Sequence, residues 1–189
     1  MAMRLNIIVT STRPGRIGLP VGRWIHEAAK AHGGFDAHLA DLAAFALPLY
    51  DEPHHPRLRR YEHEHTKRWS ESVEAADAFV LVTPEYNHAP APSLLNALDY
   101  VFHEWAYKPA AFVSYGGVSG GLRAVQAAKP ALTALKVMPV PEAVVIPMVS
   151  EQVQDGSFRP KDLQVAAANS MFDELKRWAE ALAPLRQKT

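Results

Sequence analysis

The chain has 189 residues, which suits a single domain able to bury roughly 70% of its unfolded surface without a disulfide or metal staple. Lysine plus arginine and aspartate plus glutamate both total 20, so no electrostatic argument favours nucleic acid or an anionic membrane as a partner. There is no cysteine, which excludes disulfides, thiolate metal sites and cysteine nucleophiles.

The N-terminal MAMRLNIIVTSTRPGR has too short an apolar run for a signal peptide and enters a strand at once. No stretch approaches about 18 apolar residues, so the expectation is a cytoplasmic protein with no membrane span. The first strand, Leu5–Val9, leads into TSTRPGRIG and then a helix over Leu19–Ala31. A second strand is expected at Phe35–Leu39, a helix at Thr66–Ala76, and a third strand at Phe79–Thr83 running into TPEYNHAPAP. A helix over Ser93–Phe102 follows, then a strand at Ala110–Ser114, the turn SYGGVSGG and a helix over Gly121–Leu135. Pro130 interrupts that helix by removing a donor and crowding the Gln126 carbonyl, which predicts a kink. The last strand, Ala143–Ile146, is bracketed by Pro139, Pro141 and Pro147, which suits a sheet edge, and Lys161–Leu182 closes the chain as a helix.

Most of these strands are continuous apolar runs, as expected where both sheet faces are covered. Five strands, each followed by a helix, imply a doubly wound parallel α/β sheet with right-handed crossovers. Such sheets bind ligands at the carboxyl ends of their strands, where strand order reverses. The turns after strands one, three and four therefore carry the chemistry.

In the first turn Ser11, Thr12 and Arg13 follow a strand, and a helix opens near Gly18. Free N–H groups, the positive helix end, two hydroxyls and a guanidinium favour a phosphate. The pattern is neither GxxxxGK[ST] nor GxGxxG, which removes support for a nucleotide triphosphatase or a dinucleotide crossing. The bland alternative is a capped helix with a solvated arginine. In the second turn Pro84 stiffens the loop and Tyr86 offers a broad face to a flat ring, while Glu85 and Asn87 either meet a ligand or tether the loop. In the third, four glycines let backbone approach a ligand or simply permit a tight turn. Gly117 to Gly121 also fits GxSxG, the nucleophile elbow of α/β-hydrolases. That elbow needs a later histidine, and all nine histidines lie at or before His103, so the expected triad cannot form.

Together the turns describe a ligand with a phosphate, a planar face and a hydrogen-bonding edge. Flavin mononucleotide (FMN) has that shape, and adenine nucleotides satisfy it only in part. The motifs Ser11-Thr12-Arg13, Pro84-Glu85-Tyr86-Asn87 with Asn96-Ala97-Leu98-Asp99, and Tyr115-Gly116-Gly117 with Gly120-Gly121 resemble the NADPH-dependent FMN reductase family, which includes quinone, azo-dye and chromate reductases. The resemblance covers residues 4 to about 135 and implies a flavodoxin-like five-stranded parallel sheet, order 2-1-3-4-5, with helices on both faces. The chain departs from the family's usual glycine at Thr10 and lysine at Leu95, and carries Arg16-Ile17-Gly18 where serine and asparagine often stand shortly after the arginine.

The resemblance implies phosphate contacts from Ser11, Thr12, Arg13, Arg16 and Gly18, and an isoalloxazine framed by Pro84, Glu85, Tyr86, Asn87, Ser114, Tyr115, Gly116, Gly117 and Gly120. It also implies NADPH or NADH as co-substrate, a small-molecule electron acceptor and a homodimer or homotetramer. Because the flavin carries the chemistry, no catalytic side chain and no metal is expected. The competing readings are a flavodoxin-type electron carrier, disfavoured by the balanced charge, and a non-catalytic flavin-binding module. The stretch DEPHHPRLRRYEHEHTKRW, residues 51–69, holds four histidines, and its spacing favours a solvated rim loop over a metal site. Trp69 is expected to anchor the helix there, whereas Phe102, Trp105 and Tyr107 serve either a subunit contact or the core.

Overall fold

The computed structural model describes residues 2–186. Five parallel strands, β1 (Arg4–Val9), β2 (Asp36–Asp41), β3 (Ala78–Pro84), β4 (Pro109–Tyr115) and β5 (Met138–Ile146), form one sheet in the order β2-β1-β3-β4-β5. The central strands β3 and β4 are buried along their whole length, which is why they read as unbroken apolar runs. Alternation sorts their side chains between two cores. Val80, Val82, Ala111 and Val113 face helices α1 (Gly18–His32) and α6 (Asp162–Arg186). Phe79, Leu81, Ala110 and Phe112 face α3 (Glu64–Glu74), α4 (Pro92–Asp99) and α5 (Leu122–Ala134).

Several boundaries differ from the sequence reading. A short helix α2 (Leu42–Phe45), capped by the Asp41 carboxylate on the Ala43 amide at 3.1 Å, follows β2. Strand β2 begins one residue later and ends two residues later than expected, because its half-exposed pattern lacks a continuous apolar run. Strand β5 starts at Met138, so Pro139 and Pro141 lie inside it rather than bracketing it. Edge pairing makes this possible: β5 is hydrogen-bonded on one side only. Its register with β4 jumps from Ala110↔Pro139 to Phe112↔Ala143, so β5 accommodates extra residues where the prolines stand. Helix α5 continues through Pro130. A two-stranded hairpin, β6 (Val153–Gln154) with β7 (Ser157–Phe158), follows β5 and was not foreseen.

The loop over residues 46–63 is pinned rather than simply solvated. The Asn96 side chain accepts from the Tyr50 amide at 2.9 Å and donates to the Pro48 carbonyl at 2.7 Å. Tyr100 Oη donates to Asp51 at 2.8 Å, and buried Glu52 accepts the Glu62 and His63 amides. His65 Nε2 lies 3.1 Å from Asp51 Oδ1, with the His63 ring stacked on it. The NALD segment therefore fastens this loop to α4. Trp69 is fully buried and its Nε1 donates to Ala97 O at 2.8 Å, tying α3 to α4 as expected of an anchor. Trp105 belongs to the core between Trp69 and Phe79.

Lys108, buried at the start of β4, donates from Nζ to the Val73 and Glu74 carbonyls at 2.8 and 2.9 Å, capping the C-terminus of α3. Burial pushes its ammonium down to about 8 from the ordinary 10.5. Between those values the unfolded chain binds the extra proton, so this residue's contribution to stability rises with pH through that window. Urea unfolding of wild type and Lys108→Met at pH 7.5 and pH 10 tests this: the difference should shift in favour of wild type at the higher pH. A constant difference would contradict the burial cost.

Candidate functional site

Strand order reverses between β1 and β3, whose carboxyl ends are joined where the Thr10 amide donates to Val82 O at 3.0 Å. Since β1, β3 and β4 run parallel, the three turns that follow them share this rim.

The first turn closes through Arg16 N to Arg13 O at 3.2 Å, and α1 opens at Gly18 with no side-chain cap. Its leading N–H groups therefore face the turn without an internal acceptor. Ser11 is buried beside this helix end and accepts a 3.1 Å hydrogen bond from Tyr115 Oη. Burial holds the Tyr115 phenol above its usual range, so it stays a protonated donor. Gly18 lies so close to this pair that a Cβ there would overlap both Ser11 Oγ and Tyr115 Oη. Thr12 and Arg13 are exposed, and Arg13 pairs with no carboxylate among the described residues. Arg16 instead meets Asp41 at the end of β2 in an ion pair, so its charge is already matched. Ser93 Oγ donates to the Thr10 carbonyl and draws α4 against this turn.

In the second turn Pro84 ends β3, buried, and the Tyr86 and Ala89 backbones exchange hydrogen bonds at 2.9 Å each. Between them Asn87 and His88 have φ of 50° and 66°, the two positive angles of a type I′ turn. Asparagine tolerates that region, which gives Asn87 a structural reason to stand there. Tyr86 is half-buried, while Asn87 and His88 are exposed at the tip.

Glu85 joins the second turn to the third. Its Oε2 accepts from Ser119 Oγ at 3.0 Å and the Arg123 amide at 3.1 Å, and its Oε1 accepts from the Arg123 guanidinium at 2.9 Å. Burial works to raise this carboxyl, and the Ser119 and Arg123 donors outweigh it, holding Glu85 below the usual carboxylate range. The side chain of Glu85 is thus spent as a tether. Ser119, the serine of the GxSxG pattern, meets a carboxylate and, among the described residues, no histidine.

The third turn follows Tyr115. Gly116 N donates to Ile146 O at 3.2 Å, and the carbonyls of Gly116 and Gly117 accept from Val149 and Met148 at 3.1 and 2.9 Å. The Gly120 amide returns to Gly117 O at 3.1 Å. Gly121 has φ of 89°, and a Cβ there would come within 2.9 Å of the Tyr115 nitrogen, so the entry to α5 requires glycine. The Gly117 and Val118 amides donate to no acceptor among the described residues. Ser114 lies wholly buried beneath Gly121, its hydroxyl without a partner among the described residues, so it supports the turn from below.

Of the residues singled out from sequence, Ser11, Thr12, Arg13, Gly18, Pro84, Tyr86, Tyr115, Gly116 and Gly117 gather at or beside this rim. Arg16, Glu85 and Gly120 are engaged within the protein, Ser114 is buried beneath the third turn, and Asn87 shapes a turn. Sequence reasoning missed Arg123. A cation in the first turn of a helix opposes the helix dipole, and that conflict signals a nearby carboxylate.

Residues 3–151 match the family described as NADPH-dependent FMN reductase. An NAD(P)H-dependent FMN reductase of Nectria sp is 31% identical, covering 97% of this chain and 98% of the relative. An NADPH azoreductase of a Bacillus strain is 36% identical over 80% of this chain and 81% of its own, and a quinone reductase of Pseudomonas putida is 36% identical over 72% and 74%. Among solved structures, the flavoenzyme NAD(P)H:(acceptor) oxidoreductase FerB of Paracoccus denitrificans superposes with a TM-score of 0.74 at 24% identity, covering 95% of this chain and 98% of that one, a likeness of fold. With its sheet order, its three turns and these relatives, the chain belongs to the NADPH-dependent FMN reductase family.

Proposed function

We propose that this chain binds FMN at the β1–β3–β4 rim and reduces a quinone-, azo- or flavin-type acceptor with NADPH or NADH. The observation that carries the reading is the meeting of an uncommitted arginine, a helix N-terminus and a buried hydroxyl pair at the rim where strand order reverses. That donor set fits a phosphate monoester: Arg13, Ser11, Thr12 and the first amides of α1 would hold it. The half-buried ring of Tyr86 would bound one face of the isoalloxazine. The open amides of Gly117 and Val118 would donate to its polar edge and stabilise negative charge there.

FMN held there would supply the hydride acceptance and electron release that the protein's own side chains lack. The side chains position, and none is required to act as acid, base or nucleophile. Tyr115 holds Ser11 Oγ in place, the missing side chain of Gly18 would leave that pair open to a phosphate, and Glu85 fixes the two turns that would flank the ring. A homodimer or homotetramer, with a second copy near the open side of the rim, and a cytoplasmic location complete the reading. No described helix is long and apolar enough to cross a membrane.

Purified protein reconstituted with FMN should be yellow, and NADPH should bleach it anaerobically without an added reductase. Quinone or azo dye should then restore the colour. Failure to retain flavin would end the proposal, and retention without bleaching would favour an electron carrier or a binding module.

A further inference from the structure

At the opposite rim, where β3, β4 and β5 begin, the fold encloses a cavity of about 650 Å³. Asp77 immediately precedes β3, Lys108 immediately precedes β4, Lys136 lies just before β5, and Arg186 ends α6, so the cavity is a product of topology. Its charge is lopsided in a chain that is balanced overall. The lining holds Arg57, Arg59, Lys108, Lys136 and Arg186 against only Glu74 and Asp77.

Both acids are already occupied. Glu74 pairs with Arg59 at 3.5 Å, and Asp77 accepts from Arg186 at 3.0 Å and from the Arg4 amide at 2.9 Å. Arg57, Lys108 and Lys136 are left without a carboxylate among the described residues. Arg57 lies over the Phe102 ring at 4.5 Å, and Lys136 reaches Tyr107 Oη at 3.2 Å. Lys108 is 5% exposed and spends two of its three N–H groups on carbonyls. A buried ammonium without a carboxylate partner is costly, and the exposed cations Arg57 and Lys136 beside it add to the positive potential of the cavity. A multivalent anion removes that cost, and the volume suits a small molecule.

We propose that this cavity binds a phosphorylated small molecule, held by Arg57, Lys108 and Lys136 at the rim opposite the flavin site. Arg57 is exposed beside Phe102 and suits a bidentate contact to one phosphate group, while the lysines act as point charges. None of the three belongs to the proposed flavin site, so this ligand and FMN bind independently at the level of contact.

The test uses full-length protein saturated with FMN, which blocks the other phosphate site, titrated calorimetrically with inorganic pyrophosphate and with ADP at constant ionic strength. Wild type should show saturable one-site binding of at least one probe, and the double variant Arg57→Glu/Lys136→Glu should weaken it by about tenfold or more. Unchanged FMN affinity in the variant establishes that it is folded and that the flavin site is separate. Binding of neither probe at millimolar concentration, or equal binding by the variant, overturns the proposal. So does binding of a polyglutamate peptide when both phosphate probes fail, because the cavity would then be a docking surface for an acidic chain.

Discussion

Gly18→Ala should lower FMN affinity by about a hundredfold while leaving the fold intact. The added methyl would overlap Ser11 Oγ and Tyr115 Oη, forcing apart the hydroxyl pair that lines the start of α1. Losing one or two charge-assisted hydrogen bonds to a phosphate removes about 3 kcal/mol, which corresponds to roughly that factor. Alanine is also the better helix former by about 1 kcal/mol, so thermal stability should change little or partly recover the strain. Fluorescence titration of apoprotein with FMN, beside thermal unfolding without flavin, separates the two effects. Unaltered flavin affinity would mean that this helix end is not where the phosphate rests.

Glu85→Ala should destabilise the protein by about 2–4 kcal/mol and slow acceptor reduction together. The substitution strips Ser119 Oγ, the Arg123 amide and the Arg123 guanidinium of their shared acceptor, and losing three hydrogen bonds to a mostly buried carboxylate has a cost of this order. About half of the Arg123 side chain is exposed, so its guanidinium regains water and the loss stays toward the lower end. Acid gives an independent check. Because the folded carboxyl titrates below its ordinary 4.5, the tether's contribution is complete above that value and is lost as pH falls through the folded one. Wild type should therefore lose more stability than Glu85→Gln when urea midpoints are compared at pH 7 and pH 3.5. Parallel loss in both proteins would remove Glu85 from any part in holding the turns together.

Much of the frame was legible because burial on both faces leaves little freedom in residue choice. The runs at Phe79–Thr83 and Ala110–Ser114 declared their strands, and the parallel order then put the three turns on one rim. Strand β2 and the proline-bearing start of β5 were less distinct, since an edge strand needs neither a full apolar run nor every N–H. Within the site, residue type foretold who would be present but not what each would touch. Arg13 and Arg16 look alike in sequence, yet only Arg16 finds Asp41, which a different strand delivers. Glu85 and Arg123 are far apart in sequence, and the glycine-rich entry to α5, though visible as a tight turn, does not reveal that it delivers Arg123 to Glu85. The cationic cavity was invisible for the same reason: its lining comes from five separate stretches of chain.

The prolines inside β5 bear on how copies of this molecule can meet. An outermost strand ordinarily offers unpaired amides to any neighbour able to lie alongside it. Pro139 and Pro141 have no N–H to offer, and the irregular register beside them bends the strand where a flat ribbon would be needed. Lateral growth into a continuous intermolecular ribbon is thereby blocked along this border over its first half. That stretch of β5 is therefore a poor template for a further strand, which keeps a crowded solution of this protein away from fibrous assembly along that segment.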